Sequence, residues 1–144
     1  DAIINDKMLA YAYILTHEGY PCVFWQDYFN FDLAQSGNES GIAALVKVHE
    51  QFAGGQTDIL YCDDDLYIMQ RRGANAQPGL IVVLNNAPRW NGRLVTSQWA
   101  DKHFKPAAWR GHDNTDIPED KTTNSSGACD FWAPPRGYVV YVPE

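Results

Sequence analysis

Carboxylates and aromatic rings are the residues of this chain with chemistry to offer. Glu18, Asp27 and Asp32 lie close together in the sequence. Two carboxyl groups held on either side of a reacting bond can act as acid and nucleophile, or as acid and base. That chemistry requires a pair on separate elements, and no two of these three sit on two separate strands, so they read as solvated loop carboxylates. His17 precedes a glycine turn and reads as a helix-end cation or structural donor rather than a general base. Asp63, Asp64 and Asp65, with Asp58 nearby, could offer Ca²⁺ its oxygen ligands, with Asp63 and Asp65 as the candidates. The same three acidic residues also suit a plain solvated turn. An Asp-x-Asp-x-Asp-Gly loop is absent. Trp90 and Trp109 neighbour Arg89, Asn91, Gly92 and Arg110 in expected loops. They are the candidates for stacking on a sugar, with packing as the competing reading. Trp132 falls in an expected strand and reads as core.

The elements that position these groups follow from periodicity. Ile4, Met8, Leu9, Tyr11, Ala12 and Leu15 have helical spacing, which predicts a helix over 4–16 with Asn5 or Asp6 as N-cap. Gly19 and Pro21 end it. Tyr20 to Trp25 reads as a short strand, apolar enough to be buried on both faces as in a parallel sheet. A helix, Gly-x-Pro, an apolar strand and then polar and aromatic residues is the rhythm of an αβ step in a parallel barrel. Barrels keep their chemistry at the C-terminal ends of their strands. That makes Trp25, Gln26, Asp27 and Tyr28 candidates for substrate contact, against packing of Trp25 under neighbouring loops. A turn cluster at 36–40 leads into a second helix over 40–51, and Gly54-Gly55 stops it.

Beyond residue 53 the pattern changes to short β-rich runs at 59–62, 66–70, 80–84, 93–96, 128–132 and 138–142, separated by turn signals. Such runs suggest an antiparallel Greek-key sandwich. Residues 110–127 read as a long polar connection. Two domains are expected, 1–53 and 54–144.

Composition narrows the partners. The chain has 144 residues and a formal net charge of -7, which argues against nucleic acid or an anionic membrane surface and is compatible with uncharged sugars. Neither a membrane span nor a signal peptide is visible. Cys22, Cys62 and Cys129 are far apart, without metal spacing, and Cys22 reads as a small buried hydrophobe. Asn38-Glu-Ser40 and Asn124-Ser-Ser126 fit the glycosylation triplet, a pattern of low specificity.

Four stretches resemble a known family in the right order. AYAYILTHEGYPCVFW at 10–25 resembles the step into the eighth barrel strand of α-amylases of glycoside hydrolase family 13. IAALVKVH at 42–49 looks like the eighth barrel helix, DDDLYI at 63–68 like the opening hairpin of the C-terminal β domain, and APPRGYVVYV at 133–142 like its closing strand. The resemblance implies the fold of a terminal portion of a TIM (β/α)8 barrel followed by a C-terminal antiparallel Greek-key β-sandwich. It implies a parent that hydrolyses α-1,4-glucans with retention, and whose relatives are often extracellular. It implies that Trp25 to Tyr28 stand at the edge of the active-site cleft, and that some relatives hold calcium near the hairpin. The family's nucleophile, acid/base and Asn-His-Asp motif precede the first helix of this chain, so the 144 residues alone are expected to be inactive. The barrel elements are expected to pack on a polypeptide carrying the missing barrel, on another copy of the chain, or on the β domain. The alternatives are a non-catalytic carbohydrate-binding module and a purely structural domain shielding the barrel.

Overall fold

The computed structural model describes residues 3, 5–31, 33–34, 39–113 and 116–144. Ile4, Asp32, most of the 36–40 turn cluster, the Asn38 triplet's acceptor and part of the 110–127 connection lie outside the described residues. Among the described residues three helices come first: α1 (Lys7–Thr16), α2 (Trp25–Phe29) and α3 (Ile42–Phe52). Eight strands follow: β1 (Thr57–Cys62), β2 (Leu66–Arg71), β3 (Leu80–Asn85), β4 (Asn91–Thr96), β5 (His103–Arg110), β6 (Lys121–Thr122), β7 (Ala128–Ala133) and β8 (Gly137–Pro143). A six-stranded sheet has the order β1-β2-β3-β8-β5-β6, and β4 and β7 form a separate ribbon. Every strand pair is antiparallel.

The large sheet is covered on both faces, which explains its continuous apolar runs. Leu80 and Val82 of β3 and Tyr138, Val140 and Val142 of β8 point toward α1 and α3, where they meet Met8, Tyr11, Leu15, Ile42, Leu45 and Val48. The alternating residues Ile81, Val83, Val139 and Tyr141 point to the other face and meet Val95, Cys129 and Phe131 of the ribbon. The period of two in a strand thus sorts one chain into two cores. Helices 1 and 3 and the β strands therefore share a core across residue 53.

β5 lies between β8 and β6 in the sheet, although Pro106 sits inside it. The pairing with β8 shifts register between Pro106 and Ala108, so the proline occupies an irregularity where a ladder donor is not required. The inserted residue also inverts the facing downstream. Phe104 and Trp109 both reach the ribbon-side core, while Ala108 reaches the helix side.

Two expectations fail in the first thirty residues. Residues 20–24 form no strand, and Trp25 to Phe29 are a short helix. Cys22 is exposed rather than buried. Among the described residues no strand lies beside this extended stretch, so its apolar side chains have no second sheet face to fill. At the start of α1, Asp6 occupies the N-cap position at φ 51° but makes no capping bond; its carboxylate accepts from Arg136 instead. The end of α3 follows the sequence closely. Gly55 has φ 81°, and a Cβ there would lie 2.3 Å from the Gly73 carbonyl oxygen.

Candidate functional site

The short helix α2 is locked to α1 by one carboxylate. Asp27 is buried. Its Oδ1 accepts from Lys7 Nζ at 2.5 Å and its Oδ2 from the Tyr11 hydroxyl at 2.6 Å. The Tyr11 oxygen in turn accepts from the Phe24 backbone N–H. The Lys7 bond first, and then the Tyr11 bond, hold the Asp27 carboxyl below its usual range. A carboxylate kept ionised, with both oxygens engaged, is unsuited to donate a proton or attack a sugar. Its place is structural: it fixes the chain that carries the aromatic residues.

Those aromatics face outward. Trp25 is 66% exposed and meets Phe29, itself 59% exposed, with ring centroids 4.2 Å apart and the planes tilted by 37°. Tyr20, Phe24 and Phe31 are also exposed. Gln26 is exposed as well, whereas Tyr28 packs half-buried against the helix-side core. The four residues expected together at a strand end thus divide, with Trp25 and Gln26 outside and Asp27 and Tyr28 inside. Two cavities border this surface and share Ile3 and Lys7. One, about 370 Å³, is lined by Tyr11, Cys22, Phe24 and Asp27; the other, about 530 Å³, by Asp6, Phe31, Arg110, His112 and Arg136. In the second, Asp6 accepts from Arg136 Nε at 2.9 Å and lies 3.2 Å from His112 Nδ1.

His17 is a donor rather than a helix-end cation. Its Nδ1 lies 2.7 Å from the Tyr13 carbonyl oxygen, which can only accept, so Nδ1 carries the proton. Its Nε2 therefore accepts from the Tyr67 hydroxyl, also at 2.7 Å. Burial pushes the imidazole pKa down, against the pull of the Tyr13 carbonyl. Burial pushes the Tyr67 hydroxyl up to about 12. Glu18 accepts from the Thr57 backbone N–H at 2.7 Å and ties the helical segment to β1.

The acidic turn is closed by its own first member. Asp63 Oδ1 accepts from the backbone N–H groups of Asp65 and Leu66, and Oδ2 accepts from Tyr61. Among the described residues no group of three or more His, Cys, Asp or Glu side chains converges as a metal site would. Both oxygens of Asp63 serve the turn. Asn124 likewise folds its own turn, accepting from the N–H groups of Ser126 and Ala128.

The tryptophans exchange roles. Trp109 belongs to β5, not to a loop, and at 8% exposure is part of the ribbon-side core. That corrects the expectation of a loop position for it: a ring this deeply packed offers little surface for stacking. Trp132 is 38% exposed and lies outside the core. Its strand β7 buries Cys129, Phe131 and Ala133, so strict alternation sends Asp130 and Trp132 outward. Trp90 is 44% exposed, as a loop residue should be. The alternation around Trp132 was present in the sequence and was the signal to use. Arg71 and Asn85 also escaped sequence reasoning. Arg71 is buried and donates to the Thr16 and Gly55 carbonyls. Asn85 is fully buried and bonds Arg89, Pro134 and Ala87.

Comparison with known proteins gives this architecture relatives. Residues 80–142 match the family model described as Alpha-amylase C-terminal. The chain is 30% identical over 145 residues to an alpha-amylase from Geobacillus stearothermophilus, covering 96% of this chain and 25% of that protein. It thus spans about a quarter of the length of that curated relative. Among solved structures, an alpha-amylase from Geobacillus thermoleovorans superposes with TM-score 0.62 at 17% identity, over 94% of this chain and 32% of the other. A cyclomaltodextrin glucanotransferase with a three-domain ABC distribution gives 0.64 at 18% identity, over 98% and 33%. These two likenesses speak to fold. The family-model match, which spans β3 to β8, and the alpha-amylase relative together support an amylase-family C-terminal domain in this chain.

Proposed function

We propose that this chain is the C-terminal portion of an α-amylase-like retaining glycoside hydrolase acting on α-1,4-glucans. In this reading residues 1–53 are the last step of a (β/α)8 barrel, with the extended segment 20–24 at the place of its strand, and residues 54–144 are its C-terminal β domain. The catalytic carboxylates belong to the remainder of the barrel, and the 144 residues alone do not hydrolyse starch. The observation that carries the reading is that the match to an alpha-amylase runs through 96% of the chain, not through the β domain alone.

The exposed aromatic surface supports it. Trp25, Phe29, Phe24 and Tyr20 stand open beside an extended segment with no strand neighbour among the described residues. An uncovered apolar surface of this kind marks a contact site, and the remainder of the barrel is the partner proposed for it. Within that assembly Trp25 and Gln26 would border the substrate cleft. A reducing-sugar assay of the purified chain on soluble starch tests the proposal. No activity above buffer is expected. Activity that disappears in Asp27→Asn would place the catalytic groups within this chain and refute the reading.

A further inference from the structure

The outer face of the β4–β7 ribbon carries a feature that the packing of the domain does not use. Gly92 of β4 is paired with Trp132 of β7. A Cβ built on Gly92 would lie 2.5 Å from both Cγ and Cδ2 of the Trp132 indole. The ring therefore lies flat on the glycine, in a space that any side chain would fill. One ring face covers the bare backbone and the other is left toward solvent. The indole cannot swing freely, because its Nε1–H donates to Asp130 Oδ2 at 2.7 Å. Asp130 is followed by a cation: Lys121 Nζ lies 3.7 Å from the same oxygen, while Asp130 itself is more than half exposed. Leu94, opposite Asp130 in the register, is exposed on the same face, and exposed Trp90 immediately precedes β4.

We propose that Trp132 is a stacking platform for a glucan chain on the β domain, a non-catalytic binding site on the ribbon, across the large sheet from α1 and α3. A fixed, flat indole fits the apolar C–H face of a pyranose ring. The flanking carboxylate and ammonium suit the equatorial hydroxyls that project from the ring's edge. A large aromatic held in one orientation also sacrifices little conformational entropy on binding. The choice of a glucan over other sugars rests on the reading of the chain as part of an α-glucan-acting enzyme. The platform itself rests on Trp132, Gly92 and Asp130.

The test is calorimetric titration of the 144-residue chain with maltoheptaose. Saturable binding is expected, weakened roughly tenfold or more in Trp132→Ala, as for loss of one central aromatic contact. Trp132→Phe should retain part of the affinity. Asp130→Ala, which frees the indole while leaving the ring, should fall between wild type and Trp132→Ala. Trp25→Ala should bind as wild type. Near-UV circular dichroism and urea midpoints check that each variant is folded. Wild-type affinity in a folded Trp132→Ala, or no saturable binding by the wild-type chain, would overturn the platform. So would binding lost in Trp25→Ala but kept in Trp132→Ala, or a dimer in sedimentation that only Trp132→Ala disrupts. The parent-enzyme reading is judged separately, from starch hydrolysis and from the upstream reading frame, so the two can fail independently.

Discussion

Replacing Asp27 by alanine removes the carboxylate clamp between α1 and α2. Asp27 accepts one bond from the Lys7 ammonium and one from the Tyr11 hydroxyl. Hydrogen bonds to charged groups contribute about 1.5–3 kcal/mol each. Lys7 is about one-third exposed, so solvent screening moves its share toward the low end. A total loss of about 3–4.5 kcal/mol is expected for Asp27→Ala. Asp27→Asn, which can still accept from Tyr11, should lose roughly half of that. In urea melts analysed by linear extrapolation, the midpoint should fall while the slope stays constant. The pH dependence supplies an independent check. Because the folded carboxyl lies below its ordinary value, its stabilisation is fully present above about pH 4, the unfolded value. It is lost as pH falls through the folded pKa. The gap between wild type and Asp27→Asn should therefore narrow with acidification below pH 4. A change within about 0.5 kcal/mol for Asp27→Ala, the size of an ordinary surface substitution, would refute the clamp.

Three further outcomes follow from the packing. His17 has a lowered pKa through burial, so its stabilisation is complete above about pH 6.5 and is lost as pH falls through the folded value. His17→Phe should flatten that part of the stability–pH curve relative to wild type. Arg71→Met should cost about 2–4 kcal/mol in urea melts, because it strands the Thr16 and Gly55 carbonyls that Arg71 now satisfies. Trp109→Ala should cost about 3–5 kcal/mol as a core cavity, whereas exposed Trp90→Ala should stay within about 0.5 kcal/mol.

How much of this was legible in the sequence depends on which physical signal each element carried. The helices at 7–16 and 42–52 were legible because their apolar residues repeat at helical spacing. The strands at 80–85 and 137–143 were legible as continuous β-branched and aromatic runs. β5 was not, because Pro106 and the charged residues around it read as loop; only the register shift beside β8 admits a proline there. Tyr20 to Trp25 misled for the opposite reason. Its composition suits a strand buried on both faces, but a strand needs neighbours, and none lies beside it among the described residues. Of the candidate site, Trp90 lies exposed in a loop, as its neighbours suggested, while Trp25 is exposed although its apolar run read as a strand buried on both faces. The burial of Trp109 and the opening of Trp132 did not agree with expectation, although the second follows from alternation once Phe131 is placed inside. The clamp on Asp27 depends on Lys7 and Tyr11, twenty and sixteen residues away, which no local pattern joins.

The central claim is that this chain completes a barrel whose catalytic carboxylates it does not carry. Sequencing the genomic reading frame upstream of the codon for Asp1 tests it most directly. The account predicts an in-frame Asn-His-Asp motif within a few tens of residues, preceded by strands that bear the nucleophile and the acid/base. An upstream sequence that encodes an unrelated fold with no such motif would contradict it.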